Sequence, residues 1–285
     1  MPEKLLPEHV NLSHPGKRVS SGQLPAAQSP LDKHSVEQRS NSHLVRDPGG
    51  IADWLDRRFY PEFVDNWDDK LFRNEILSHI GRDTELLDLG AGAGILEDMN
   101  FRGLVNHVAG IDPDPRVCEN PYLDSAHVGY GELLPYGDQS FDVVFADNVL
   151  EHLANPLAVF MEVQRVLRPG GVFMVKTPNR WHYVPVIASL TPHWFHQLIN
   201  RWRGRKSDDT FPTLYKANTI GQIKRLATNA GLAVLNIRAF EGRPEYLRRM
   251  WPLCLIGIVY ERLVNRFRFL SACRVVLIAT LRRGL

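Results

Sequence analysis

The chain has 285 residues, 44% hydrophobic and 23% charged, which suits one large globular domain with insertions. A formal net charge of +2 leaves no bulk electrostatic case for a nucleic-acid partner. Cys118, Cys254 and Cys273 are too scattered for a disulfide framework or a metal-binding pair, so a cytoplasmic setting is expected.

Residues 1–47 contain no aromatic residue but five prolines and seven serines, and are expected to be a disordered tail. Its four histidines (His9, His14, His34 and His43) have no ligand spacing and read as solvated. No signal-peptide pattern opens the chain, and the apolar run 250–260 is shorter than the roughly 20 residues of a membrane span. A soluble or membrane-surface protein is expected.

From 51 to 80, apolar residues recur at helical spacing, with Pro61 starting or breaking a helix. Leu86-Leu87-Asp88-Leu89 then reads as a buried parallel strand ending in a glycine turn. Further strands are expected at 107–111, 141–146, 172–176, 232–240 and 274–281. Helices are expected at 156–167, with Pro156 in its first turn, and at 218–230, capped by Asn218 and closed by Gly231. Strands alternating with helices argue a doubly wound α/β sheet, and the final two strands suggest an antiparallel edge pair. Two stretches break the alternation and read as insertions: 178–216, rich in aromatics, and 245–269, apolar among arginines.

The first chemical signal is the run Asp88-Leu89-Gly90-Ala91-Gly92-Ala93-Gly94. Alternate glycines after a buried strand let the backbone turn sharply and approach a ligand closely. The second is Asp112, 18 residues past Gly94 at the end of the next strand, where a carboxylate can hold a ribose diol. This pair alone still allows a nicotinamide dinucleotide. Asp88 before the turn, however, suits a cationic ligand such as an amino group better than a pyrophosphate.

The segments LLDLGAGAGIL, GIDPDP and GYGELLPYGDQSFDVVFADNVLEHL, followed by RVLRPGGVFMV, closely resemble the class I S-adenosylmethionine-dependent methyltransferases, especially the small-molecule group that includes the ubiquinone-type methylases. The resemblance covers 50–180 closely and the remainder to 285 in outline. It implies a Rossmann-like seven-stranded sheet with an antiparallel last strand, in a methyltransferase domain spanning 48–285 with lids at about 178–216 and 245–269. It further implies S-adenosylmethionine as cofactor. Gly90, Ala91, Gly92 and Gly94 would line its methionine and ribose side. Asp112 would hold the ribose, Ile111 and Pro113 would pack beside the adenine, and Gly131 and Glu132 would face the adenine edge. Asp147 and Asn148 would face the methionine moiety, with Asp88 near the amino group. Tyr130 stands where the family often carries an acid.

Methyl transfer from a sulfonium needs alignment first, and a base only where the nucleophile must lose a proton. His152 is the candidate base; a packing role is the alternative. No metal is expected: some relatives bind one through an ExxEH pattern, but Asn148 replaces its first acid and only Glu151 and His152 remain. His182, Tyr183, His193, His196 and Tyr215 are candidate groups on the acceptor side. The expected acceptor is a small or lipid-linked molecule, methylated most readily on oxygen, and not a nucleic acid. From 243 to 285 there are nine arginines and two acids, so 245–269 could lie on a membrane surface. Two rival readings stay open: a donor-binding but inactive partner subunit, and a membrane-surface scaffold on the same fold.

Overall fold

The computed structural model describes residues 50–61, 66–190, 212–245, 247 and 251–285. Its seven strands are β1 (Glu85–Leu89), β2 (His107–Asp112), β3 (Ser125–Val128), β4 (Phe141–Asp147), β5 (Leu167–Pro178), β6 (Leu232–Phe240) and β7 (Val276–Arg283). They form one sheet in the order β3-β2-β1-β4-β5-β7-β6. β1 to β5 pair in parallel, and β7 runs antiparallel to both β5 and β6. The expected α/β fold is therefore the observed one. The antiparallel pair sits at one edge of the sheet, with β7 inside and β6 outermost.

Alternation along the strands loads both faces of the sheet. In β4, Val143 and Phe145 point to one core and Val144 and Ala146 to the other; β5 does the same with Met174 against Phe173 and Val175. One face is covered by α3 (Pro156–Val166) and α5 (Ile220–Asn229), through Val159, Phe160 and Val163 and through Ile223, Leu226 and Ala227. The other is covered by α2 (Trp67–Leu77), through Phe72 and Ile76, together with Met99, Phe101 and Val117 from short turns. Phe101 meets Phe145 edge-on at 5.4 Å. Three further helices complete the described elements: α1 (Gly50–Phe59), α4 (Tyr183–Leu190) and α6 (Trp251–Arg266). Among the described residues, no helix is long and apolar enough to cross a membrane.

Several local expectations are corrected. The helical run 51–80 divides into α1 and α2, with Pro61 beyond the end of α1. The cap of α5 is Thr219, whose hydroxyl accepts from Gln222 N at 3.1 Å; Asn218 instead donates to Thr177 Oγ1 at 2.6 Å. β5 begins five residues before the expected 172, because Leu167 is already extended and pairs with Phe141. β3 was not foreseen: its four residues are all half-buried or exposed and carry no apolar pattern. The expected tail 1–47 lies outside the described residues, as do 191–211 with His193 and His196.

Candidate active site

The chain runs outward from β1 to β3 and then returns to β4 on the other side of β1. The carboxyl ends of β1 and β4 therefore flank the point where strand order reverses, the usual place for a ligand in an open α/β sheet. Gly90 turns there with φ +84°, and a Cβ on it would stand 2.3 Å from Val149 Cγ2. Gly92 follows at φ +51° with no atom within 4 Å of where its Cβ would be, so its backbone faces open space. Gly90 N donates to Ile111 O at 2.8 Å, and Asn120 Nδ2 donates to Ala91 O at 3.0 Å, which pins the loop to the neighbouring segments. Only a three-residue turn, Glu97–Met99, lies between the loop and β2, so no α-helix N-terminus is available for a pyrophosphate.

A cleft of about 670 Å³ opens beside this loop. Of the expected cofactor residues, Asp88, Gly90, Ala91, Gly92, Gly94, Asp147 and Asn148 line it, and so does His152. Ile111, Asp112, Pro113, Gly131 and Glu132 do not. Asp112 is tied into the loop: one carboxylate oxygen accepts from Gly92 N at 2.9 Å and the other from Asp114 N at 2.8 Å. Ile111 is buried, Pro113 and Glu132 are half-buried, and Gly131 packs on Leu89 and Val159. Tyr130 is 68% exposed.

The floor of the cleft is acidic. Lys176, fully buried on β5, hydrogen-bonds Asp69, and its Nζ lies 3.3 Å from Asp68 Oδ2 and 3.0 Å from Asp147 Oδ1. Burial opposes the lysine's charge, but the three carboxylates outweigh it and hold the ammonium above its ordinary range. Burial pushes Asp147 up to about 7; Lys176 pulls it down, and Asp69 and Asp68 push it up. Asp147 Oδ1 has Lys176 as its ion-pair partner, and Oδ2 has no hydrogen-bond donor among the described residues. Burial, then Asp147 and Asp112, hold Asp88 well above the usual carboxylate range. One ammonium thus faces three carboxyl groups, and the raised Asp147 and Asp88 hold protons that a cationic ligand would displace.

The far wall carries different chemistry. His182, Tyr183, Glu241, Arg243 and Pro244 line the same cleft. Glu241 follows β6 directly; its Oε2 accepts from Val275 N at 2.8 Å and lies 3.8 Å from His182 Nε2. Burial lowers His182 to about 3 and raises Glu241 to about 8, so near neutral pH the histidine is uncharged and the glutamate mostly protonated. Tyr183 meets Tyr260 of α6 edge-to-face with ring centroids 4.9 Å apart. His152 Nδ1 lies 3.2 Å from Pro212 O, which assigns the proton to Nδ1 and leaves Nε2 the basic nitrogen. Its neighbour Glu151 is buried and accepts from Thr177 Oγ1 at 3.0 Å. Tyr215 touches the backbone of Glu151 and does not line the cleft.

Sequence reasoning thus brought His152, His182 and Tyr183 to one place and missed Glu241, Arg243 and the Lys176 cluster. Two signals were legible: Lys176 is a lone charge in the apolar run of β5, and Glu241 sits at the carboxyl end of a strand.

Residues 54–237 match a protein family described as methyltransferase domain. A ubiquinone biosynthesis O-methyltransferase from Parvibaculum lavamentivorans is 30% identical over 199 residues, covering 65% of this chain and 73% of that protein. A probable S-adenosylmethionine-dependent methyltransferase from Mycolicibacterium smegmatis is 37% identical over 114 residues, covering 38% of this chain and 44% of that protein. For a further ubiquinone biosynthesis O-methyltransferase, from Cereibacter sphaeroides, identity is 31% and coverage 44% and 51%. The matched part of the chain thus spans about half the length of two of these curated relatives. Among solved structures, the YcgJ protein of Bacillus subtilis superposes with a TM-score of 0.50 at 16% identity, covering 75% of this chain and 99% of that one, which is a likeness of fold.

Proposed function

This chain belongs to the methyltransferase-domain family, among the class I S-adenosylmethionine-dependent methyltransferases, and on that premise we propose that it methylates an oxygen of a small or lipid-linked acceptor. The observation that carries the proposal is a single cleft walled on one side by the glycine loop and Asp147, and on the other by His182, Tyr183, Glu241 and Pro244. Donor and acceptor can meet in it without crossing protein.

The residues fit the donor. S-adenosylmethionine supplies a methyl group on a cationic sulfonium, with a neutral thioether as leaving group, and it also carries an ammonium. The open backbone of Gly92 and the unpartnered Oδ2 of Asp147 are what such a ligand requires. In this reading Gly90, Ala91, Gly92 and Gly94 cradle the donor, while Asp147, Asn148 and Asp88 hold its methionine end. Asp112 serves the nucleoside end, together with Ile111, Pro113, Gly131 and Glu132. Each Asp112 oxygen has spent one lone pair on a backbone N–H and keeps another for a hydroxyl.

His152 takes the acceptor proton at Nε2, with Pro212 O fixing the tautomer. Glu241 is a second reading of the base, favoured by its place in the same cleft, and would act through the ionised fraction that a pKa of about 8 leaves near neutral pH. His182, Tyr183 and Pro244 suit a flat or hydrophobic acceptor, to which Glu241 and Arg243 offer polar contacts. We take 48–285 as one methyltransferase domain with lids at 178–216 and 245–269. It would work in the cytoplasm, peripheral to the membrane when its acceptor is lipid-linked.

The test begins with calorimetric titration of S-adenosylmethionine, S-adenosylhomocysteine and NAD⁺. Donors labelled in the methyl group are then incubated with protein and lipid extracts. Binding of both adenosyl ligands but not NAD⁺, with label in the organic phase that hot hydriodic acid releases as methyl iodide, is expected. Saturable NAD⁺ binding, or label in the organic phase that hot hydriodic acid does not release as methyl iodide, would overturn the reading.

A further inference from the structure

α6 is apolar on the side that faces the protein and on the side that faces away. Its inward stripe, Cys254, Gly257, Ile258, Glu261 and Val264, is buried, and Cys254 and Ile258 pack on Leu55 and Tyr60 beside α1. Its outward positions should be polar if water were their only neighbour. Instead Ile256 is 60% exposed, Val259 58% and Leu263 44%. Trp54 on the adjacent α1 is 60% exposed and Phe269 beyond α6 is 78% exposed. An apolar surface shared by packed neighbours in this way marks a docking face rather than scattered surface residues.

Charge selects the occupant. Arg262, Arg266 and Arg268 are all exposed at the end of the apolar stretch. The one acid of α6, Glu261, is turned inward, where it accepts from Tyr60 Oη at 3.1 Å and Asn265 Nδ2 at 2.7 Å and lies 3.3 Å from Arg262 Nε, so Arg266 and Arg268 carry the surplus charge of this face. α1 carries Asp53 and Asp56 beside Arg57 and Arg58, so its charge cancels and the positive surplus belongs to α6 and the turn after it. An apolar helix face bordered by arginine, too short to cross a bilayer, is the composition of a helix lying in the membrane interface.

We propose that α6, with Trp54 of α1 and Phe269 beside it, docks the protein on an anionic lipid bilayer. The position of α6 couples this face to the cleft. Gly257 lies so close to Pro244 of the cleft wall that a Cβ would overlap it, and Tyr260 meets Tyr183, which also lines the cleft, edge-to-face. A lipid-linked acceptor leaving the bilayer would thus meet the acceptor wall one helix thickness away. The docking rests on the exposed faces alone; its link to the acceptor rests on the methyl-transfer reading.

The experiment is flotation of the full chain with phosphatidylcholine vesicles, with and without phosphatidylglycerol. It includes an apolar variant (Ile256→Ser, Val259→Ser, Leu263→Ser) and a charge variant (Arg262→Gln, Arg266→Gln, Arg268→Gln). All six positions are exposed, and circular dichroism checks the fold of each variant. Binding to the mixed vesicles is expected, weakened by roughly a hundredfold in the charge variant and by at least that much in the apolar one. Failure of the wild type to float with the mixed vesicles would overturn the proposal. So would equal binding by the apolar variant, or a wild-type dimer that the apolar variant disperses, which would assign the face to a second copy. Donor titration of the same preparations reports separately on the methyl-transfer reading, so either can fail alone.

Discussion

Asp147→Asn is expected to weaken S-adenosylmethionine binding and to remove its dependence on pH. The substitution keeps the side chain's shape, and Lys176 keeps Asp68 and Asp69 as partners. A buried carboxylate meeting the donor's ammonium makes a charge-assisted hydrogen bond worth about 1.5–3 kcal/mol, so at about pH 8 the variant should bind ten- to a hundredfold more weakly. The wild-type carboxyl has its pKa raised to about 7, so below that value a proton occupies it and must leave before the ammonium binds. Donor affinity should therefore fall by up to about tenfold per unit as pH drops below 7 in the wild type, with a proton released on binding, and stay level in the variant. Calorimetric titration across this range, in two buffers of different ionisation heat, reads both the affinity and the proton. A variant with wild-type affinity at high pH, or one that keeps the pH slope, would refute the assignment.

Three further outcomes follow from the same geometry. Lys176→Met leaves Asp68, Asp69 and Asp147 without their cation, at a cost of about 3–5 kcal/mol. Lys176 pulls the Asp147 pKa down to about 7, so removing it raises that pKa further; the variant's loss, read as Tm, should shrink as pH falls toward about 7, where its carboxyl takes up a proton before the wild type's does, and level off below that. Gly90→Ala places a methyl group against Val149 at φ +84°, and should abolish donor binding with a stability loss of about 1–3 kcal/mol. Asp112→Ala strips the acceptors from Gly92 N and Asp114 N, so it should lower Tm and donor affinity together; donor affinity lost at unchanged Tm would mean the carboxylate serves only the ligand.

Much of the architecture was legible because its signals are local. The apolar runs of β1 and β4 and the proline and glycines around α3 depend on neighbours in sequence. The glycine loop was legible because backbone geometry at Gly90 and Gly92 excludes most other residues. What escaped is contact between distant segments. Lys176 meets Asp68 and Asp69 across more than a hundred residues, and His182 meets Glu241 across about sixty, distances at which no periodicity helps. Asp112 shows the limit of a spacing argument: its position was foreseen, but its two oxygens are also structural ties within the loop.

The placement of β7 has a consequence for how the molecule assembles. β6 has no neighbour in the sheet except β7, and β7 joins β5 across about a hundred residues of sequence, as Lys176 against Ile278 shows. The parallel half, β1 to β5, can pair before β7 arrives, whereas β6 must wait for it. The donor cradle therefore belongs to an early-forming unit and Glu241, at the end of β6, to a late one. Hydrogen exchange should find two levels of protection, with β6 and β7 opening together while β1 and β4 stay closed.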